Sequence, residues 1–152
     1  MAKNHDALKL DRQLCFAVYA ASHAFSAGYK PFLDPLGLTY PQYLVLLVLW
    51  EQDGLGVKQI GARLHLDSGT LTPLLKRLEA SGLVKRTRDP EDERQVKVTL
   101  TQEGRALQDR VAQAREGLVC ALGVSEPEIQ ALNRDVRAMV AQLREDQRSQ
   151  TA

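Results

Sequence analysis

The stretch from Val57 to Leu100 constrains the fold most, because it switches from helical to strand periodicity within a few residues. Val57, Ile60 and Leu64 take helical spacing, and Leu66-Asp67-Ser68-Gly69 reads as a turn. A second helix is predicted from about Ser68 to Ser81, capped by Asp67 or Ser68, with Leu71, Leu74, Leu75 and Leu78 as its buried stripe. Pro73 lies near the N-terminal turn, where a missing N–H costs little, and Gly82 is the stop. Val84 to Arg88 and Gln95 to Leu100 then flank a polar loop containing Pro90, which is the pattern of a β-hairpin.

The flanks of this stretch read as helices. From residue 7 to 33, Cys15, Val18, Ser22, Phe25, Tyr29 and Phe32 follow one helical stripe. Asp34-Pro35-Leu36-Gly37 ends it, with Pro35 disfavouring helix at Asp34. Thr39 to Gln42 reads as a capping box with Pro41 in the first turn. It opens an almost wholly apolar helix to about Glu51, to be buried on most sides and closed by Asp53-Gly54. After the hairpin, Thr101 can cap a helix carrying Leu107, Val111, Ala114 and Leu118 on one side. Ser125 to Glu128 is a further capping box, ahead of Ile129, Leu132, Val136, Val140 and Leu143 in line. Gln147 to Ala152 is expected to fray. The expected fold is mainly α with a small β-hairpin wing: a winged helix-turn-helix at 53–100, between helices at 7–40 and 101–148, in one unit spanning 1–152.

In that layout the second helix enters a DNA major groove, and the hairpin reaches toward the minor groove or backbone. Charge follows the same division. The whole chain carries +1, which excludes a polybasic tail or an acidic solvating segment. Yet Lys58, Arg63, Lys76, Arg77, Lys85, Arg86 and Arg88 face only Asp67 and Glu79, so Lys58 to Arg88 is +5 and the remainder −4. The candidate DNA-contacting residues are Ser68, Thr70 and Thr72 at the start of the recognition helix, Lys76 and Arg77 further along, Arg86, and Arg94 near the wing tip. Charge runs taken alone are more often solvated faces, and the order of the elements is what favours DNA.

All eight aromatic residues lie between Phe16 and Trp50, and the two cysteines, Cys15 and Cys120, are 105 residues apart. Two cysteines in a reducing compartment read as thiols or a switch rather than a staple, and a lone helical cysteine is commonly a small buried hydrophobe. The apolar neighbours of Cys120 suit a core position, and Tyr19 and Tyr43 read as packing residues. His5, His23 and His65 are scattered, so no metal site is expected, and neither a cofactor nor a catalytic constellation is evident. The longest apolar run, Tyr43 to Trp50, is too short for a membrane span, and the first residues lack the apolar core of a signal peptide. The expectation is a cytoplasmic protein without a membrane partner.

Two motifs carry a specific resemblance. Asp89-Pro90-Glu91-Asp92-Glu93-Arg94, with Asp92 and Arg94 spaced as D-x-R, resembles the wing of the MarR family of bacterial transcription regulators. Leu66 to Glu79 and Gly82 to Arg86 resemble that family's recognition helix and the segment after it. Over roughly residues 10 to 145 the resemblance implies a homodimer formed by the first and last helices, with Asp92 supporting the wing and double-stranded DNA with a pseudo-palindromic operator as partner. Leu10 to Ala20 is similar to the first helix of the organic hydroperoxide-sensing, OhrR-type branch. This implies Cys15 as the redox sensor, Tyr29 and Tyr40 as hydrogen-bond donors to its thiolate, and organic hydroperoxides as effectors. It also implies Cys120 as the resolving cysteine of a two-cysteine subclass, with a disulfide to the partner subunit releasing the operator. Capture within one chain stays open, as does the subunit that supplies the tyrosines. Tyr29 is 14 residues beyond Cys15, roughly 21 Å along one straight helix, so it reaches the Cys15 of its own chain only if the helix breaks. The competing readings are a repressor released by a small apolar or phenolic ligand and a thiol peroxidase. Against the latter stand the reading head and the lack of a Thr/Arg cluster at Cys15, where Arg12 alone lies one turn away.

Overall fold

A computed structural model describes residues 5–92 and 94–150, without the side chains of Leu118, Ala121, Leu122, Arg148 and Gln150. Its elements run α1 (Leu14–Leu33), α2 (Tyr40–Glu51), β1 (Leu55–Gly56), α3 (Val57–Leu64), α4 (Ser68–Ala80), β2 (Val84–Arg88), β3 (Val96–Leu100), α5 (Gln102–Leu122) and α6 (Glu126–Gln150). The three strands form one antiparallel sheet in the order β1-β3-β2. The architecture is that of a winged helix, mostly helical with a small sheet. The chain divides within α5 into two compact units, one ending at Arg115 and the other beginning at Glu116.

The reading head does not carry its core by itself. Ile60, Leu71, Leu75, Leu78, Val84 and Val98 bury against Val45, Leu46 and Leu49 of α2, Leu33 at the end of α1, and Leu107 and Val111 of α5. α2 is the hub, and its near-uniform apolar sequence follows from packing on several sides. Its start is held by Thr39 and Gln42. The Gln42 Oε1 accepts from the Thr39 N–H at 2.9 Å, and the Gln42 N–H donates to Thr39 Oγ1. That pairing gives the buried side-chain oxygen of Gln42 its hydrogen-bond partner.

Between α3 and α4 the chain turns through His65 in the left-handed region, φ 58°. Gly61 permits this turn, since a β-carbon there would lie 2.6 Å from the Leu66 carbonyl oxygen. Asp67 caps α4 by accepting from the Thr70 N–H at 2.7 Å. In the wing, Val84 pairs with Leu100 and Arg88 with Val96.

Four expectations need correction. The N-terminal helix begins at Leu14, not near residue 7. Two short 3-10 turns precede it, because the Gln13 side-chain amide bonds the carbonyls of Ala7 and Lys9 while Asp6 pairs with Lys9 and Arg12. Asp34 stays in the right-handed helical region and opens a 3-10 turn over Asp34–Leu36, so Pro35 bends the chain without forcing Asp34 out. The hairpin gains a third strand, β1, whose Leu55 pairs with Val98. The last helix continues to Gln150 instead of fraying from Gln147, and residues 151–152 lie outside the described residues.

Candidate functional site

The reading face is built on α4 and the wing. Ser68, Thr70, Lys76 and Arg77 are exposed on α4, and Thr72 is half-buried. The hydroxyl of Thr70 donates to Asp67 Oδ2 and that of Thr72 to the Ser68 carbonyl, so each hydroxyl oxygen stays able to accept a further bond. At the wing, Asp92 organises the turn. Its side chain accepts from the Arg94 N–H at 3.1 Å and from the Gln95 amide, and its carbonyl accepts from the Gln95 N–H. Arg94 is thereby held exposed at the tip, while Glu93 between them lies outside the described residues.

Arg86 sits differently from the expectation that it contacts DNA. Its guanidinium is held by Glu79 Oε2 at 2.8 Å, and its backbone N–H donates to Glu79 Oε1 at 2.9 Å. These bonds draw the Glu79 carboxyl below its usual range, the backbone bond first. The charge ties α4 to β2 instead of facing outward.

The residues expected to form the sensor divide along α1. Cys15 is the second residue of that helix, exposed, with a free thiol. Phe16 and Tyr19 stack beside it, and Tyr19 meets His23 with ring centroids 4.4 Å apart. Tyr19 is 62% exposed, so within one chain it does not serve the packing role expected of it. Arg12, one turn before Cys15, is engaged by Asp6. At the far end of the same unbroken helix, Tyr29 meets Tyr40 at 5.3 Å and Tyr43 at 5.2 Å. Burial, then the neighbouring Tyr29, raises the Tyr40 hydroxyl above its ordinary value, and burial with a hydrogen bond to Tyr29 raises Tyr43 further. Tyr40 and Tyr43 therefore keep their protons at neutral pH and can act only as neutral hydrogen-bonding groups. α1 does not break, so Cys15 and the Tyr29 of one chain stay roughly 21 Å apart along its axis.

Cys120 is also exposed with a free thiol, near the end of α5, in place of the core position its neighbours suggested. A cavity of about 250 Å³ lies on the first unit, lined by Tyr43, Leu47, Trp50, Val111 and Arg115 among others, and does not include Cys15. Among the described residues, no cluster of His, Cys, Asp and Glu could hold a metal, and no single helix is long and apolar enough to cross a membrane.

This geometry of head, wing and flanking helices has close counterparts. Residues 27–111 match the family model described as transcriptional regulator SarA/Rot. A relative from Bacillus subtilis (strain 168), the organic hydroperoxide resistance transcriptional regulator, is 53% identical over 110 residues, 72% of this chain and 75% of its own. The chain belongs to the MarR/SarA family of transcription regulators. It is a regulator and not an enzyme, as are the relatives it matches. Another MarR/SarA relative, the HTH-type transcriptional regulator TtmR of Methylorubrum extorquens (strain PA1), is 66% identical over 106 residues, 70% of this chain; the matched part spans 54% of that longer protein. Among solved structures, AbfR of Staphylococcus epidermidis is 38% identical, with a TM-score of 0.78 over 95% of this chain and 99% of that one. Overoxidized AbfR bound to DNA is equally similar, TM-score 0.78 at 39% identity over 93% of this chain and 99% of that one. Disulfide-formed AbfR is less so, 0.65 at 39% identity over 90% and 96%.

Proposed function

We propose that this protein is a cytoplasmic, dimeric transcription repressor that senses organic hydroperoxides at Cys15 and releases a pseudo-palindromic operator on oxidation. The observation that carries this reading is the exposed Cys15 thiol at one end of an unbroken helix whose other end sets Tyr29 against Tyr40 and Tyr43 of α2. A two-fold axis across two such helices brings the thiol of one protomer to the tyrosines of the other. That meeting supplies the neutral donors a thiolate needs and ties sensing to assembly.

Exposed apolar side chains support the dimer. Leu10, Leu14, Phe16 and Phe25 on the N-terminal segment and α1 are left open, as are Leu132, Val136 and Leu143 on α6. A second copy would bury them. The relative named for organic hydroperoxide resistance supports the effector class, and AbfR, seen reduced on DNA and as a disulfide, supports a thiol switch.

The chemistry runs in two steps. The Cys15 thiolate attacks the terminal peroxide oxygen, the O–O bond breaks, and the sulfenic acid forms while the departing alkoxide takes a proton from water to leave as the alcohol. The thiol of Cys120, in the partner subunit, then attacks the sulfenic sulfur, forming the disulfide and expelling water. The DNA contacts are Ser68, Thr70, Thr72, Lys76 and Arg77 in the major groove and Arg94 at the minor groove, with Asp92 shaping the wing.

The test adds cumene hydroperoxide to the protein–operator complex, with a gel shift and a non-reducing gel run in parallel. The expected result is DNA release with a covalent dimer that dithiothreitol reverses, absent in Cys120→Ser. A Cys15→Ser variant that still releases DNA normally would refute the sensor assignment.

A further inference from the structure

The passage from the wing to α5 is a single residue, Thr101, and bonds to two other parts of the head converge on it. The Thr101 N–H donates to the Leu83 carbonyl at 3.1 Å, and its hydroxyl donates to the Gly82 carbonyl at 2.6 Å. The Trp50 indole N–H donates to the Gly104 carbonyl at 2.9 Å. Asp53, just past α2, spans the junction. Its Oδ1 accepts from the Leu100 N–H at 2.8 Å and from the Gly54 N–H, while Oδ2 accepts from the Arg105 guanidinium at 2.5 Å. One carboxylate thus holds the last residue of β3 and the first turn of α5 together. Asp53 is three-quarters buried, whereas Arg105 is largely exposed. The sequence offered Asp53 only as part of a helix stop.

We infer that Asp53 is a positioning residue for DNA recognition: it locks the first turn of α5 to the wing, and so fixes the distance between the two recognition helices of a dimer. It touches no nucleic acid. α5 is one continuous helix whose first turn has no independent freedom, so its direction and that of α4 are set together. If the lock opens, each head swivels on Thr101 and a dimer loses its preference for one half-site spacing. The inference rests on the dimeric reading proposed above.

The test uses full-length reduced protein and an operator selected from random duplexes with the unmodified chain. Binding is measured on that operator and on versions with one base pair inserted or removed at the centre, which displaces a half-site by about 3.4 Å and also rotates it. The unmodified protein is expected to lose about tenfold or more in affinity on either altered spacing, the scale of one badly met base pair. Arg105→Ala and Asp53→Asn break the link to α5 while leaving an oxygen for Leu100. They are expected to bind all three spacings within about threefold of one another, with Arg105→Lys restoring the preference. Arg105 is largely exposed, so its variants keep the test sound should Asp53→Asn fail to fold. A merely destabilising change lowers affinity on every spacing alike and leaves the preference intact. Variants with the unmodified spacing profile therefore overturn the inference. If the unmodified protein is itself indifferent to spacing, the two-headed reading falls and this inference falls with it.

Discussion

Gly104→Ala should destabilise the protein, although alanine is the better helix former. Gly104 is the third residue of α5, where exchanging glycine for alanine would by propensity alone gain up to about 1 kcal/mol. The added β-carbon, however, would lie 2.1 Å from the Leu83 carbonyl oxygen and 3.1 Å from its carbon. Backbone cannot rotate aside as a side chain can, so the first turn of α5 must lift away from the turn after α4. Such overpacking costs about 1–3 kcal/mol. The lift also strains two hydrogen bonds that meet at Gly104, from its N–H to Thr101 and from the Trp50 indole to its carbonyl, each worth about 1 kcal/mol. The clash and the strained bonds outweigh propensity, for a net loss of about 2–4 kcal/mol, or about 5–15 °C in Tm for a chain of this size. Urea and thermal unfolding at fixed protein concentration would measure it. Trp50 is the sole tryptophan, so its fluorescence reports on the same junction. A Tm equal to or above that of the unmodified protein, with unchanged tryptophan emission, would refute the reasoning.

Other consequences can be checked singly. Arg94→Ala should weaken operator binding in a gel shift with little change in Tm, since Arg94 is exposed and the turn is held by Asp92 through its backbone. Lys76→Ala should lower the slope of log affinity against log salt by about 1, whereas Arg86→Ala should leave the slope and lower Tm, because Glu79 already holds that charge. The carboxyls of Asp67, Glu79 and Glu128 titrate below their usual range in the folded chain, each chiefly through hydrogen bonds, to Thr70, Arg86 and Ser125 respectively. Their stabilising contribution is complete above the unfolded carboxylate values and is lost as pH falls through the lowered folded ones. Unfolding free energy should accordingly drop on acidification below about pH 4, and less so in Glu79→Gln.

Where the determinants are local, the sequence is readable. The leucines of α4 repeat within one helix, Asp67 stands one residue before it, and Thr39 and Gln42 are three apart, so each element announces its own ends. β1 was hidden because two residues become a strand only by pairing with Val98 and Lys97 far along the chain. The break before α1 was hidden because it depends on one glutamine amide bonding two earlier carbonyls. Arg86 looked solvent-facing because its partner, Glu79, lies across a turn where no helical spacing would pair them. The proposed sensory site is a harder case. Its residue types were legible, yet α1 keeps Cys15 and Tyr29 apart, and no single chain holds them together.

The compactness of the head also decides where its length can vary. From Tyr40 to Leu100 each junction between elements is three residues or fewer, except the seven from Asp89 to Gln95 at the wing tip. β1 runs into α3 without a loop, and the three residues after α3 and after α4 are fixed by left-handed turns at His65 and Gly82. An inserted residue at any of these would shift a helix or a strand register. The wing tip is different, since most of its described residues are exposed and it joins a hairpin that can lengthen by adding rungs. Diversification of reach along DNA, in nature or by engineering, is therefore channelled into Asp89 to Gln95, while the recognition helix can change its side chains but not its place.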